Sequence, residues 1–466
     1  MSWKLIQRAE QRLARETALV RPPSGGDVRV ALGYPNSYYV GMSNLGMQVV
    51  YGFLNRIPGV SCERFFLPDP DELVEYEQCG RRLFTLESQR PVGEFDVVAF
   101  TVAYEPDYVN LLRMLELSGL KLLASERGPE HPLVLVGGAV TLLNPEPIAD
   151  FVDVFCVGEG EGMIPPLVEA FRGTRDRRAR LEDIARIPGF YVPSLLQPRY
   201  AGARFAGLEP EARIAKNYIS SADFAVQETS TLVLTDDTEF GRSLLVEVSR
   251  GCPYICRFCT VGFSYPKVRW KPLDRIWEAV EAARERDARF DKVGLVSATV
   301  GNHPDISGLC TRLQEHRIPV SFSSLRADQL PDELLSAMVA GGTRSLTLAP
   351  ETGSESLRKA INKRFSDDQY YDAAERAFRH GIKKIKMYSM VGLPYELDED
   401  ADALVQLVKR TSAIQRRLQP GGQITLTLGL FVPKPLTSFQ WVGMAPQPLA
   451  EARMRRVQKA LAGEGG

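Results

Sequence analysis

Three of the chain's seven cysteines fall within eight residues, in the segment Glu247-Val-Ser-Arg-Gly-Cys252-Pro-Tyr-Ile-Cys256-Arg-Phe-Cys259. An apolar strand pattern, Leu244–Val248, runs straight into this loop, and further strand patterns alternating with helices follow it. Thiolates spaced x3 and x2 on one loop can converge on one face. A four-iron cluster takes four ligands, usually thiolates, so three from the protein leave one iron open to a substrate. A zinc site would want a fourth Cys or His at matching spacing, and His131, His303, His316 and His380 all lie elsewhere. Two other readings stand beside the open-iron one: a structural triplet, and an electron-transfer cluster completed by distant Cys310. The odd total and the scatter of Cys62, Cys79, Cys156 and Cys310 do not make a disulfide scaffold. Cys156, near the end of an interior strand pattern, reads as a packing residue.

A length of 466 residues implies two or three domains. Residues 1–27 read as a helix and a turn-rich connector. Over 28–200 the strand patterns Val28–Leu32, Asp96–Ala103, Pro132–Val136 and Asp153–Val157 alternate with helices at Gly46–Leu54, Tyr108–Leu117 (with Asp107 as cap) and Ile164–Phe171. Such alternation, with glycine turns after strands, predicts a doubly wound, Rossmann-like parallel sheet. Residues 201–240 form an irregular linker. From 241 to 466 six strands are predicted, at Leu244–Val248, Lys292–Val296, Val320–Ser323, Ser345–Leu348, Lys384–Met387 and Thr425–Leu430, with a helix at Asp274–Glu285 and another at the C-terminus. Six βα units are too few for an eight-stranded barrel, so a partial (β/α)6 TIM-type barrel is expected. The class is α/β throughout.

The formal net charge of -1 points to no nucleic-acid or anionic-membrane partner. Met1–Glu16 mixes acids and bases on a helical pattern, unlike a secretory or transit segment, and no run of about 18 apolar residues occurs. A cytoplasmic location without membrane contact is the expectation.

The C-x3-C-x-aromatic-C spacing at the head of a βα series resembles the radical S-adenosylmethionine superfamily. The resemblance implies a [4Fe-4S] cluster on Cys252, Cys256 and Cys259. Its open iron would be chelated by the amino and carboxyl groups of S-adenosylmethionine, and an electron would cleave the sulfonium to a 5′-deoxyadenosyl radical. Phe258 would lie near the adenine. Ser297 and Thr299, after the second strand, would meet the amino end, although the usual Gly-Gly-Glu form is absent there. Ser324 and Arg326 follow the third strand, Arg326 as a bidentate partner for a carboxylate. Glu351 and Ser354, in Ala349-Pro-Glu351-Thr-Gly-Ser354-Glu355, match a motif that meets ribose or carboxylate. Gly392, in Val391-Gly392-Leu-Pro394, corresponds to a turn that approaches the adenine.

Residues 28–200 resemble the cobalamin-binding module that precedes the radical domain in a large subclass. The loops in question hold Asn36, Tyr38, Gly41 and Ser43, then Gly137 and Gly138, then Gly158, Glu159 and Gly160, with Thr101 at a strand end. Tyr38 stands where the D-x-H-x-x-G form has its cobalt-ligating histidine. The module either holds a corrinoid with no histidine beneath it or has become a substrate-binding or structural domain. The resemblance spans most of residues 28–441, including Phe431–Trp441. Relatives often continue past that segment, and a C-terminal substrate-shaping region is expected to be missing or shorter. The implied activity is methylation or rearrangement of an unreactive carbon, with an electron donor of the flavodoxin or ferredoxin kind. The alternatives are a cobalamin-independent methylthiolation of RNA or protein and a nonenzymatic electron carrier. Methylthiolating relatives carry three further N-terminal cysteines, a pattern that Cys62, Cys79 and Cys156 do not follow. Tyr388, Glu351 and Lys386 lie near strand ends without any one standing out as acid or base. The sequence does not identify the substrate.

Overall fold

The computed structural model describes residues 3–286, 288–323 and 325–463. The chain divides into two compact units: Met1–Asp223 with Gln227–Ser243 and Glu281–Phe290, and Phe224–Val226 with Leu244–Val280 and Asp291–Gly466.

The first unit is built on six strands: β1 (Val28–Tyr34), β2 (Val60–Phe66), β3 (Val97–Thr101), β4 (Leu133–Gly137), β5 (Val154–Cys156) and β6 (Phe190–Tyr191). Their order is β2-β1-β3-β4-β5-β6, parallel except for the antiparallel edge strand β6. Four consecutive residues of β4, Leu133–Val136, are buried, as a strand covered on both faces requires. Helices Leu45–Arg56, Asp107–Leu117 and Gly160–Gly173 alternate with the strands. This is the expected doubly wound sheet.

One strand escaped the sequence. The apolar residues of β2 are interrupted by Glu63 and Arg64, which hide a strand that is buried along nearly its whole length. Arg64 is tolerated because two carboxylates meet it: Glu16 at 2.7 Å and Glu87 at 2.7 Å, with the Tyr51 ring 4.9 Å from the guanidinium. Burial pushes the Glu87 carboxyl up, against the pull of Arg64. The expected cap at Asp107 is corrected. The cap position is Pro106, and the Asp107 carboxylate instead accepts the Asn36 side-chain amide at 2.9 Å. The region expected to be irregular carries a hairpin, Gln197–Ala201 against Arg204–Glu209, and a short strand Val233–Leu234 paired with Thr17–Ala18.

The second unit carries the six barrel strands: β7 (Ser243–Glu247), β8 (Lys292–Val296), β9 (Val320–Phe322), β10 (Ser345–Glu351), β11 (Lys384–Val391) and β12 (Gln423–Leu430). They form two three-stranded sheets, β7-β8-β9 and β10-β11-β12. β10 extends three residues and β11 four past their predicted ends. Among the described residues no helix is long and apolar enough to cross a membrane.

Candidate functional site

The cysteine loop leaves β7 and returns to the helix Leu273–Glu285 through a clasp in which Ser249–Arg250 pairs antiparallel with Arg269–Trp270. Gly251 makes the clasp possible. Its φ is +96°, and a Cβ there would sit 2.8 Å from the Lys267 carbonyl oxygen. Cys256 is buried, and Cys252 and Cys259 are half-buried. Burial raises all three thiols; the Lys363 and Arg326 charges pull Cys256 back down, Arg326 acts on Cys252 and Lys363 on Cys259. Two cations therefore face a set of potential thiolates. Among the described residues no three His, Cys, Asp or Glu side chains close on one point as the ligands of a single metal ion would. A cubane spreads its thiolates over separate irons, so such convergence is not required of the donor set.

Around this loop the structure assembles several of the expected residues and gives others different work. Phe258 packs on an apolar cluster of Leu357, Ile361, Leu393, Phe431 and Phe439. Ser297, at the end of β8, is buried, and its hydroxyl lies 2.5 Å from that of Ser249. Thr299 is buried, and its hydroxyl has no well-formed hydrogen bond; its dipole helps hold the Cys252 thiol down. Arg326 stacks over the Tyr254 ring at 3.7 Å and is held bidentately by Asp328 at 2.9 and 3.0 Å, a carboxylate the protein itself supplies. Ser324 lies outside the described residues. Glu351 adopts φ +65°, costly for a residue with a Cβ, and accepts a 2.6 Å bond from Lys363. Ser354 caps the helix Glu355–Ala360, accepting from the Leu357 N–H and donating to Asp400. The Gly392 N–H donates to Glu396, itself paired with Arg453 at 2.7 Å.

Sequence reading missed Tyr254, Asn302, Lys363 and Ser389. The Asn302 side-chain carbonyl and the Ser389 hydroxyl are buried without hydrogen-bond partners, although the Asn302 amide reaches the Tyr254 hydroxyl at 3.1 Å. Buried polar atoms normally find partners, so orphans near a site's rim point to a polar ligand. Tyr254 carried a signal, an aromatic inside the cysteine loop. Ser389 lay just past the predicted end of its strand.

In the first unit the loop residues are largely taken up internally. Asn36 holds Asp107, and Tyr38 is buried with its hydroxyl donating to Glu16 at 2.7 Å. Gly41 packs against Phe66, and Ser43 accepts the Glu239 N–H. Gly158 bridges to Asn217, and Glu159 accepts the Ile219 N–H at 2.8 Å, so the chain's own backbone covers that turn. Gly160 opens a helix. Thr101 and Gly137 are register partners at adjacent strand ends, with Gly138 beyond them.

This fold, with a cysteine loop on the first strand of a partial barrel, defines a radical S-adenosylmethionine enzyme. Two family models match, "Radical SAM proteins, N-terminal" over residues 46–193 and "Radical SAM superfamily" over 246–408, and the chain belongs to that superfamily. An uncharacterized protein of Methanocaldococcus jannaschii, MJ0966, is 27% identical over 94% of this chain and 84% of its own length. An uncharacterized methyltransferase of Pyrococcus horikoshii is 22% identical over 60% of this chain and 58% of its own. Among solved structures, the cobalamin-dependent radical enzyme OxsB aligns with a TM-score of 0.55 at 12% identity, over 86% of this chain and 56% of that one. The methyltransferase TsrM of Kitasatospora setae, with cobalamin and a [4Fe-4S] cluster bound, aligns with a TM-score of 0.56 at 14% identity, over 88% of this chain and 73% of that one. The chain thus spans little more than half the length of two of these relatives.

Proposed function

We propose that Cys252, Cys256 and Cys259 hold a [4Fe-4S] cluster whose open iron takes S-adenosylmethionine, and that the enzyme methylates or rearranges an unreactive carbon with a cobalamin carried by the first unit. The observation that carries this reading is the clasped loop itself, three thiols on one turn with Lys363 and Arg326 beside them. Bound there, cluster and S-adenosylmethionine supply a 5′-deoxyadenosyl radical able to take a hydrogen atom from carbon. The chain's part is to hold and shield. Lys363 and Arg326 offset the negative charge of thiolates in a low-dielectric pocket. Phe258 gives an adenine an apolar wall. Thr299 and Asn302 offer polar atoms not satisfied within the protein. Arg326, already bound by Asp328, orients Tyr254 and supplies charge at a distance. The electron comes from an external donor of the flavodoxin or ferredoxin kind.

The case for cobalamin is the likeness to OxsB and TsrM together with the strand ends at Thr101, Gly137 and Gly138. Asn36, Tyr38, Gly158 and Glu159 fit that role poorly, because their groups are engaged within the unit. Curated relatives also include a ribosomal-protein methylthiotransferase of Treponema denticola, 24% identical over 47% of this chain. A second cluster of the methylthiolating kind gains no support. Cys62 lies on β2 and Cys156 on β5, with three strands between them in the sheet. The test is an anaerobic assay of the reconstituted protein with reductant and S-adenosylmethionine, with and without cobalamin. Formation of S-adenosylhomocysteine only with cobalamin is the expected result. Equal formation in its absence would remove cobalamin from the reading.

A further inference from the structure

The central strand of a parallel sheet is normally covered on both faces and reads as an unbroken apolar run. β11 breaks this rule. It pairs in parallel with β10 on one side and β12 on the other. Ile385 and Met387 are fully buried, yet Lys384, Lys386 and Tyr388, which alternate with them, are exposed. On the covered side, helix Asp398–Leu418 packs against the neighbouring strand β12 and against helix Asp367–Arg379. The open face is therefore the inner face of the partial barrel.

What lines that face is polar and in register. Lys386 stands between Thr347 on β10 and Thr425 on β12, and Lys384 between Ser345 and Gln423. Tyr388 pairs with Thr427 on the side toward the strand C-termini, where the cysteine loop of β7 also emerges. Thr347, Thr425 and Thr427 are exposed as well. The two lysines project to the same side about 7 Å apart along the strand. Among the described residues neither has a carboxylate within ion-pair distance, whereas Arg326, Lys363 and Arg453 of the same unit are each paired with one. Two unpaired ammonium groups flanked by hydroxyls on the inner wall of a barrel make little sense as scaffold.

We infer that this wall seats an anionic phosphate ester of the substrate on Lys386 and Lys384, with the Thr347 and Thr425 hydroxyls as further donors. The inference rests on the radical reading of the second unit and adds a substrate class to it. The donor set decides between anions. A planar carboxylate is best met by the fork of an arginine, and no arginine lies on these three strands. Point-charge ammonium groups with hydroxyls around them suit a tetrahedral oxyanion with several acceptor oxygens. Tyr388, nearer the strand ends, would then lie between the phosphate and the reacting carbon.

The experiment is a calorimetric titration of the full, cluster-loaded chain at fixed ionic strength with phenyl phosphate, dimethyl phosphate and benzoate. At least one phosphate should bind, and benzoate should bind more weakly. Lys386→Gln and Thr425→Val should each weaken phosphate binding, Lys386→Gln by roughly tenfold, and Lys386→Arg should recover part of the loss. Lys459→Gln, on the exposed C-terminal helix, should leave binding unchanged. Preference for phenyl phosphate would assign a monoester, and preference for dimethyl phosphate a diester such as a nucleic-acid backbone. Benzoate binding as well as phenyl phosphate, or Lys459→Gln costing as much as Lys386→Gln, would overturn the inference. Cluster content and 5′-deoxyadenosine are read on the same preparation. Absent phosphate binding with both intact would overturn the phosphate assignment alone and leave the radical reading standing.

Discussion

The sheets of the two units use their polar residues in different ways. In the first unit several buried polar groups answer other groups of the chain: Arg64 between Glu16 and Glu87, Tyr38 on Glu16, Glu159 on the Ile219 backbone. In the second, Thr299 and Asn302, close to the cysteine loop in the fold, keep buried atoms without partners, and β11 opens a face carrying Lys384, Lys386 and Tyr388. Burying a polar group without a partner costs about 1–3 kcal/mol, so a fold keeps such groups where a ligand satisfies them. The difference is between polar groups that answer one another and a strand face left open.

Substitutions sharpen that contrast. Removing Arg64 should have the largest effect on stability. Arg64→Ala leaves two buried carboxylates facing each other, and the expected loss is about 3–5 kcal/mol, read by denaturant unfolding; an unchanged midpoint would mean that the first unit is less tightly made than described. Phe258→Ala should act mainly on ligand binding, weakening S-adenosylmethionine binding roughly tenfold through lost apolar contact while iron content holds. Loss of the cluster in this variant would make Phe258 part of the frame. Tyr38→Phe should cost about 1 kcal/mol through the lost bond to Glu16 and leave 5′-deoxyadenosine formation untouched. A change in corrinoid uptake would return Tyr38 to the cobalamin site.

Acidity offers a further handle on the second unit. Burial raises the thiols of Cys252, Cys256 and Cys259, and a cluster takes them as thiolates, so loading must release protons. Anaerobic cluster uptake should therefore climb with pH from about 7 to about 9. A flat profile would indicate that Lys363 and Arg326 already hold the thiols ionised.

The barrel was legible because its strands are short apolar runs bounded by glycine, proline or polar turns, and all six fell within a few residues of their predicted limits. The cysteine loop was legible from spacing alone. What stayed hidden depended on contacts distant in sequence. β2 looked too charged for a buried strand until Glu16 and Glu87 were brought to Arg64. Arg326 looked like a ligand for a substrate carboxylate, and Asp328, two residues on, had already claimed it. Ser354 fits a helix cap as well as a ribose contact, and spacing cannot separate the two. The open face of β11 needed the register of its neighbours before Lys386 meant more than a charged residue near a strand end.

The most direct test of the central claim is 5′-deoxyadenosine formation by the anaerobically reconstituted wild type and by Cys256→Ala, with reductant and S-adenosylmethionine present. The account predicts the nucleoside from the wild type and only background from the variant, which should also lack the cluster. Equal yields from both, or none from a wild type carrying a full cluster, would contradict it.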